Sequence, residues 1–352
     1  MRWTAIMAAA LAVATPAHAQ DAPTSAPAPA APVPPPCRRV GDVALIRIDP
    51  QAAARLAEIG LDRAGIFARM AETSIPETMG CWAMPVGNFD GQLISVGMAQ
   101  WNYGTGSLQP VLAAWRDGFG SRGAYKRARR ALAPTYGKLL LSKDCLAVPV
   151  RDKCRAAILA AHGADGRLNP VLAGELTALF ESDAMLQVQT DSYVALLDAV
   201  RLDLLQLFPG GPITPRKVRW AIDTKVQQGG FPAGGDVARL RAKLAALPAA
   251  ERAAKLRAIV DWYAALTASI DQDGVQRDAA WNVVAWRCLI DTGRIDPEQF
   301  ELLHLTFLRS RTAIGNSGRW QALAFERRAK IVLGVGSVSG VRDGICGDQA
   351  GF

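Results

Sequence analysis

The chain has 352 residues, half of them apolar, with 40 Lys and Arg against 32 Asp and Glu, a net charge of +8. That length can bury a large core, as two domains or as one domain with two lobes. Beyond the first residues no window is apolar enough for a membrane helix, and no repeat of fixed period is visible, so a membrane bundle and a solenoid are excluded.

Residues 1–19 read as a secretory signal: Arg2, an apolar run over 6–14, and Ala17-His18-Ala19 before Gln20. The apolar run is too short to span a bilayer, so cleavage near Ala19 and a periplasmic or secreted protein with no integral membrane segment are expected. Loss of Arg2 leaves +7. Residues 20–36 are a Pro/Ala tether of extended polyproline character, and no lipobox precedes Cys37. Residues 37–352 form the folded domain. Its six cysteines (Cys37, Cys81, Cys145, Cys154, Cys288, Cys346) allow up to three disulfides in an oxidising compartment. Cys145 with Cys154, closing a short loop, is the first choice; the other pairings stay open. With no C-x-x-C and only His162 and His304 in the mature chain, zinc is disfavoured, and no metal or cofactor is expected. The cationic balance suits an anionic wall polymer, and ordinary solubility explains it equally well. Nucleic acid is disfavoured by export and by the lack of a basic stripe interleaved with aromatics.

Asp49-Pro50 starts a helix over 51–59 that Gly60 closes. A second, from Leu61, carries Ile66, Phe67 and Met70 at helical spacing and should end near Glu72, because Pro76 and Gly80 cannot continue it. Alternating pieces over 89–103, punctuated by Gly91 and Gly97, read as a β-hairpin or three-stranded element, the one convincing strand signal. Helices are expected over 108–119, 136–142, 155–161 and 170–208, the last interrupted near Ser182. Thr214-Pro215 starts another through Val226, closed by Gly229-Gly230. Further helices are expected near 236–246, 249–269, 275–290, 297–309 and 318–332, with a Gly/Ser-rich loop after Gly334. The fold class is thus mainly α with one small β element, and Trp262, Trp281, Trp286 and Trp320 fall at core spacing.

Glycosidic hydrolysis needs an acid for the leaving oxygen and a second carboxylate that attacks or activates water. Glu72, at the end of a partly apolar helix where desolvation favours its protonated form, suits the acid. Asp90, on the β element, suits the base, and the Ser95 hydroxyl could hold the water. Spacing alone fits any pair of surface carboxylates eighteen apart.

The surroundings of the pair are more specific. E-T-S at 72–74, then G-N-F-D-G-Q-L-I-S-V-G-M-A-Q-W-N-Y-G-T-G-S-L-Q-P-V-L at 87–112, resembles the catalytic helix and β element of bacterial chitosanase-like proteins of the lysozyme-like superfamily, and more distantly the family 46 chitosanases. V-R-W-A-I-D-T-K-V-Q-Q-G-G at 218–230 is similar to a helix beneath their cleft, and R-R-A-K-I-V-L-G-V-G-S-V-S-G at 327–340 to their closing segment. The resemblance implies a two-lobed lysozyme-like fold with Glu72 as acid, Asp90 as base and Ser95 orienting water. Gln92, Gln100, Trp101 and Asn102 would meet the sugar by stacking and amide hydrogen bonds. Trp101 could equally be a core residue. Asp223 would orient a basic side chain or Glu72, a structural hydrogen-bonding role being the simpler reading. Leu93, Ile222, Gln228 and Ser339 depart from the pattern; Leu93 is strained if its position needs positive φ.

D-Q-D-G at 271–274 lacks the later ligands of a calcium loop, and no dinucleotide, Walker or serine-nucleophile motif is present. The expectation is an exported hydrolase of a β-1,4-linked amino-sugar polymer. Peptidoglycan is preferred over chitosan because a cationic protein suits a polymer bearing carboxylates. A chitosanase, a lytic transglycosylase or a non-catalytic wall-binding protein of the same fold are the alternatives. The oligomeric state is not legible.

Overall fold

The structure is a computed structural model that describes residues 37–41, 43–88, 91–231, 235–313 and 318–344. The expected signal and tether lie outside the described residues, as does Asp90. Fourteen helices and two two-stranded antiparallel sheets form among the described residues, so the protein is mainly helical.

Helix α1 (Pro50–Ala57) begins as its sequence dictates: Asp49 accepts from the Ala52 amide, and Pro50 occupies the first turn, where no amide is needed. Helix α2 (Arg63–Thr78), capped by Asp62, does not end near Glu72. It runs on through Pro76 to a left-handed Met79 at φ 53°. Pro76 withholds only the amide that would reach the Glu72 carbonyl. Thr73, Ser74 and Thr78 are buried, and Thr78 Oγ1 donates to the carbonyls of Ser74 and Cys81, so packing carries the helix past the proline.

Strands β1 (Ser95–Val96) and β2 (Trp101–Asn102) pair Ser95 with Asn102 and Val96 with Trp101, while Val86 bridges the other edge of Ser95. The β1–β2 hairpin falls within the stretch 89–103 read from sequence as a β element, while the Val86 bridge lies outside that stretch. Next come α3 (Leu108–Asp117), α4 (Arg122–Leu132), α5 (Gly137–Leu140) and α6 (Asp152–Leu159). Helix α4 was not expected; its first nine residues offer only Ala124, Tyr125 and Ala128 as apolar positions among five bases. The long helical region divides into α7 (Pro170–Phe180) and α8 (Asp183–Leu207) at Ser182, as anticipated. Helix α9 (Pro215–Gln228) is capped by Thr214 and closed by left-handed Gly229. The remainder is α10 (Gly235–Ala245), α11 (Ala249–Ala268), α12 (Asp273–Asp291), α13 (Pro297–Ser310), α14 (Gly318–Leu333), β3 (Gly336–Val338) and β4 (Val341–Asp343).

The β3–β4 hairpin replaces the loop expected after Gly334. Ser339 and Gly340, both at positive φ, make the two-residue turn whose twist suits a hairpin. Its anchor is a buried polar cluster: Asn282 bonds the Ser337 carbonyl, Asp278 accepts from the Ser337 hydroxyl and the Gly340 amide, and Tyr263 donates to Glu326.

Two hydrophobic clusters form. One, including Ile94, Val96, Leu112, Trp115, Leu176, Phe180 and Met185, underlies the first hairpin; the larger takes in α1, α2, α9 and α11–α14. Helix α8 joins them, with Met185 in one and Leu186 in the other, and Trp101 packs against both. Disulfides link Cys37 to Cys81 and, as expected, Cys145 to Cys154; Cys288 is also disulfide-bonded.

Candidate functional site

Glu72 lies well within α2, with its side chain 40% exposed beside the buried Thr73. Arg69, one turn earlier on α2, and Arg219 of α9 both hold Oε2, at 2.6 and 3.2 Å. Among the described residues no hydrogen bond is made to Oε1. These surroundings differ from the desolvated apolar wall expected for an acid: they are two guanidiniums and solvent. Burial lowers Arg69 from its ordinary value, opposed by Glu72. Beside them Thr73 Oγ1 lies 2.7 Å from Tyr193 Oη, which donates to the Arg69 carbonyl and whose burial raises its pKa.

A second set of charges begins one helical turn along α9. Asp223, 8% exposed, pairs with Arg327 at 2.9 Å and with Arg328 at 3.1 Å. Arg327 also reaches Glu77 of α2 at 2.8 Å, and Arg328 donates to Gln227 and Gln228. Burial disfavours charge on both arginines. Asp223 and Glu77 overcome that at Arg327, whose pKa is raised, whereas Arg328 is lowered to about 10. Fully buried charges are tolerated only when paired in this way. Asp223 orients basic side chains and serves structural hydrogen bonding; Arg219, not Asp223, touches Glu72. Gln228 has a structural use of its own, accepting from Arg328 and donating to the Arg309 carbonyl.

The β element shows why Leu93 matters. It sits at φ 68°, the left-handed conformation in which a non-glycine residue is strained. Three contacts hold it there: Asn88 Oδ1 accepts from its amide at 2.8 Å, His162 Nε2 lies 2.9 Å from its carbonyl, and its side chain is 1% exposed in the smaller core. Strain persists where surroundings over-determine it. Ser95, 4% exposed, exchanges both backbone hydrogen bonds with Val86.

Among the residues expected to meet a sugar, Gln92 lies over Gly104, where a Cβ would come within 2.2 Å of its side-chain oxygen. Gln100, at φ 50°, donates to the Met84 carbonyl. Asn102 Oδ1 accepts from the Thr105 amide and hydroxyl, closing the 102–105 turn. The Trp101 ring covers Gly97, where a Cβ would meet it at 2.7 Å, and is only partly buried. No group of three or more potential metal ligands occurs among the described residues.

The structure thus joins Glu72 to Arg69 and Arg219, and Asp223 to Arg327, Arg328 and Glu77, across α2, α9 and α14. Sequence reasoning missed these arginines. Arg69 was legible as an i,i+3 partner of Glu72, but Arg219 and Arg327 reach their partners only through helix packing. No protein-family model, curated protein or solved structure matches this chain.

Proposed function

We propose that the protein is an exported glycoside hydrolase of lysozyme-like, two-lobed architecture, cleaving a β-1,4-linked amino-sugar polymer with peptidoglycan as substrate. Glu72 acts as acid, Asp90 as base, and Ser95 orients water. The observation that carries this is Glu72 itself, a half-exposed carboxylate with one oxygen held by two arginines and the other left to approach a substrate atom. Two hydrophobic clusters joined by α8 support the two lobes, and the Trp101 face supports sugar stacking. Two disulfides, with no helix among the described residues long and apolar enough to cross a membrane, are compatible with export.

One observation favours a second reading, a non-catalytic wall-binding protein. Glu72 is engaged by both Arg69 and Arg219, an arrangement that a purely structural ion-pair network also gives. Digestion of purified sacculi separates the readings. The hydrolase releases muropeptides with reducing ends, and Glu72→Gln abolishes release. Equal release by wild type and variant removes Glu72 from the mechanism, and anhydro-sugar ends make the protein a lytic transglycosylase that needs no Asp90. If neither protein releases product yet both pellet with sacculi, the binding reading holds.

A further inference from the structure

The net charge is not spread over the surface. Residues 118–143 contain seven Lys and Arg and no Asp or Glu, leaving 33 bases against 32 acids in the rest of the chain. Five of the seven lie on α4: Arg122, Lys126, Arg127, Arg129 and Arg130. At 3.6 residues per turn they occupy one arc of roughly 160° of the helix, while Ala124, Tyr125, Ala128 and Leu132 occupy the other side. Tyr125 stacks edge-on to Trp115, and Tyr125, Ala128 and Leu132 pack on the smaller core. The apolar side of α4 is therefore spent on folding, and the basic side faces solvent.

Among the described residues none of the five makes an ion pair, whereas Arg38, Arg55, Arg116, Arg151, Arg201 and Arg257 are all paired. The buried carboxylate beneath this segment, Glu175, is occupied by the Thr135 and Tyr136 amides. Arg122, Lys126 and Arg130 stand four apart, and like charges at that spacing destabilise a helix by about 0.2–0.5 kcal/mol per pair. Among the described residues no ion pair offsets that repulsion.

We infer that the α4 ridge docks the protein on an anionic phospholipid surface. Four of the five bases are arginines, whose planar forks suit phosphate oxygens. The ridge is a convex helix with charge spread broadly around it, which fits a plane of headgroups better than a single threaded polymer strand. Within 118–143 no large apolar side chain is exposed, so docking is by charge without insertion and weakens with salt. Exposed Lys138 and Lys143 add to the field of the same segment. This inference is independent of the reading of Glu72.

The test is sedimentation of the full mature chain with vesicles of phosphatidylcholine alone or with about 30% phosphatidylglycerol, where each base near the surface contributes roughly fivefold to binding. The expected result is salt-sensitive retention on anionic vesicles only. A triple variant, Arg122→Glu, Lys126→Glu and Arg130→Glu, should lower it by more than about a hundredfold, the loss of three bases alone accounting for that factor. A control with the same charge change elsewhere, Arg277→Glu, Arg294→Glu and Arg319→Glu, retains more binding than the α4 variant. Should the first variant not fold, Gln at the same three positions gives the same comparison with a smaller loss. No retention of wild type, equal loss in both variants, or α4-dependent binding to sacculi or DNA without binding to vesicles overturns the inference.

Discussion

Arg219 Nε lies 3.2 Å from Glu72 Oε2, joining helices α9 and α2 at the carboxylate on which the proposed chemistry depends. Both side chains are about a third exposed or more, so the pair is screened and contributes no more than about 1 kcal/mol to stability. Arg219→Met should leave denaturant unfolding nearly unchanged while muropeptide release falls about tenfold through kcat, the equivalent of about 1.4 kcal/mol of lost orientation. A large loss of stability with unaltered release would make Arg219 a strut instead.

Leu93 opposes burial to backbone strain. Truncation to either Gly or Ala removes a fully buried side chain, at about 2–5 kcal/mol. Only Gly also relieves the left-handed backbone, by about 1–2 kcal/mol. Both variants should therefore be destabilised in urea unfolding, with Leu93→Ala the worse, a reversal of the usual order of these two residues.

The two described disulfides close loops of different length, with sequence separations of 44 for Cys37–Cys81 and 9 for Cys145–Cys154. In the chain-entropy picture the short loop is worth about 2.7 kcal/mol and the long one about 4. Paired Ser variants, compared by equilibrium unfolding, should differ by about 1 kcal/mol, with loss of Cys37–Cys81 the costlier.

Glu326 makes stability depend on pH. Burial is the largest cause pushing its carboxyl up to about 8, from an ordinary 4.5. Between those values the folded protein keeps a proton that the unfolded chain has released. Its contribution thus becomes less favourable as pH rises through that window, by at most about 1.4 kcal/mol per unit, and levels off above it. Glu326→Gln retains an acceptor for Tyr263 Oη, which bonds Glu326 at 2.7 Å, and removes the titration. The variant should match wild type at the acid end and exceed it in melting temperature toward pH 8; parallel curves would refute the assignment.

The sequence was most legible where structure is local. Asp49-Pro50 and Thr214-Pro215 announce helix starts because a side-chain oxygen and a proline solve the problem of unpaired amides within four residues. Ser182 marks the break between α7 and α8, and Cys145 with Cys154 closes a loop short enough to be chosen. Local rules misled where packing outweighed them. Pro76 signals a stop, yet the buried face of α2 carries the helix past one lost hydrogen bond. Helix α4 was hidden by its run of bases, and β3–β4 by strands too short for alternation to register.

Sequence alone therefore determined the helical class, many of the helix starts, the Cys145–Cys154 pair and the concern over Leu93, all contacts or conformations set by near neighbours. Tertiary structure alone decided which charges meet: Glu72 with Arg219 across 147 positions, and Asp223 with Arg328 across 105. A helix pattern states which face is buried but not which partner helix covers it. The ion pairs that orient Glu72, and the lack of any for the α4 bases among the described residues, follow from that packing.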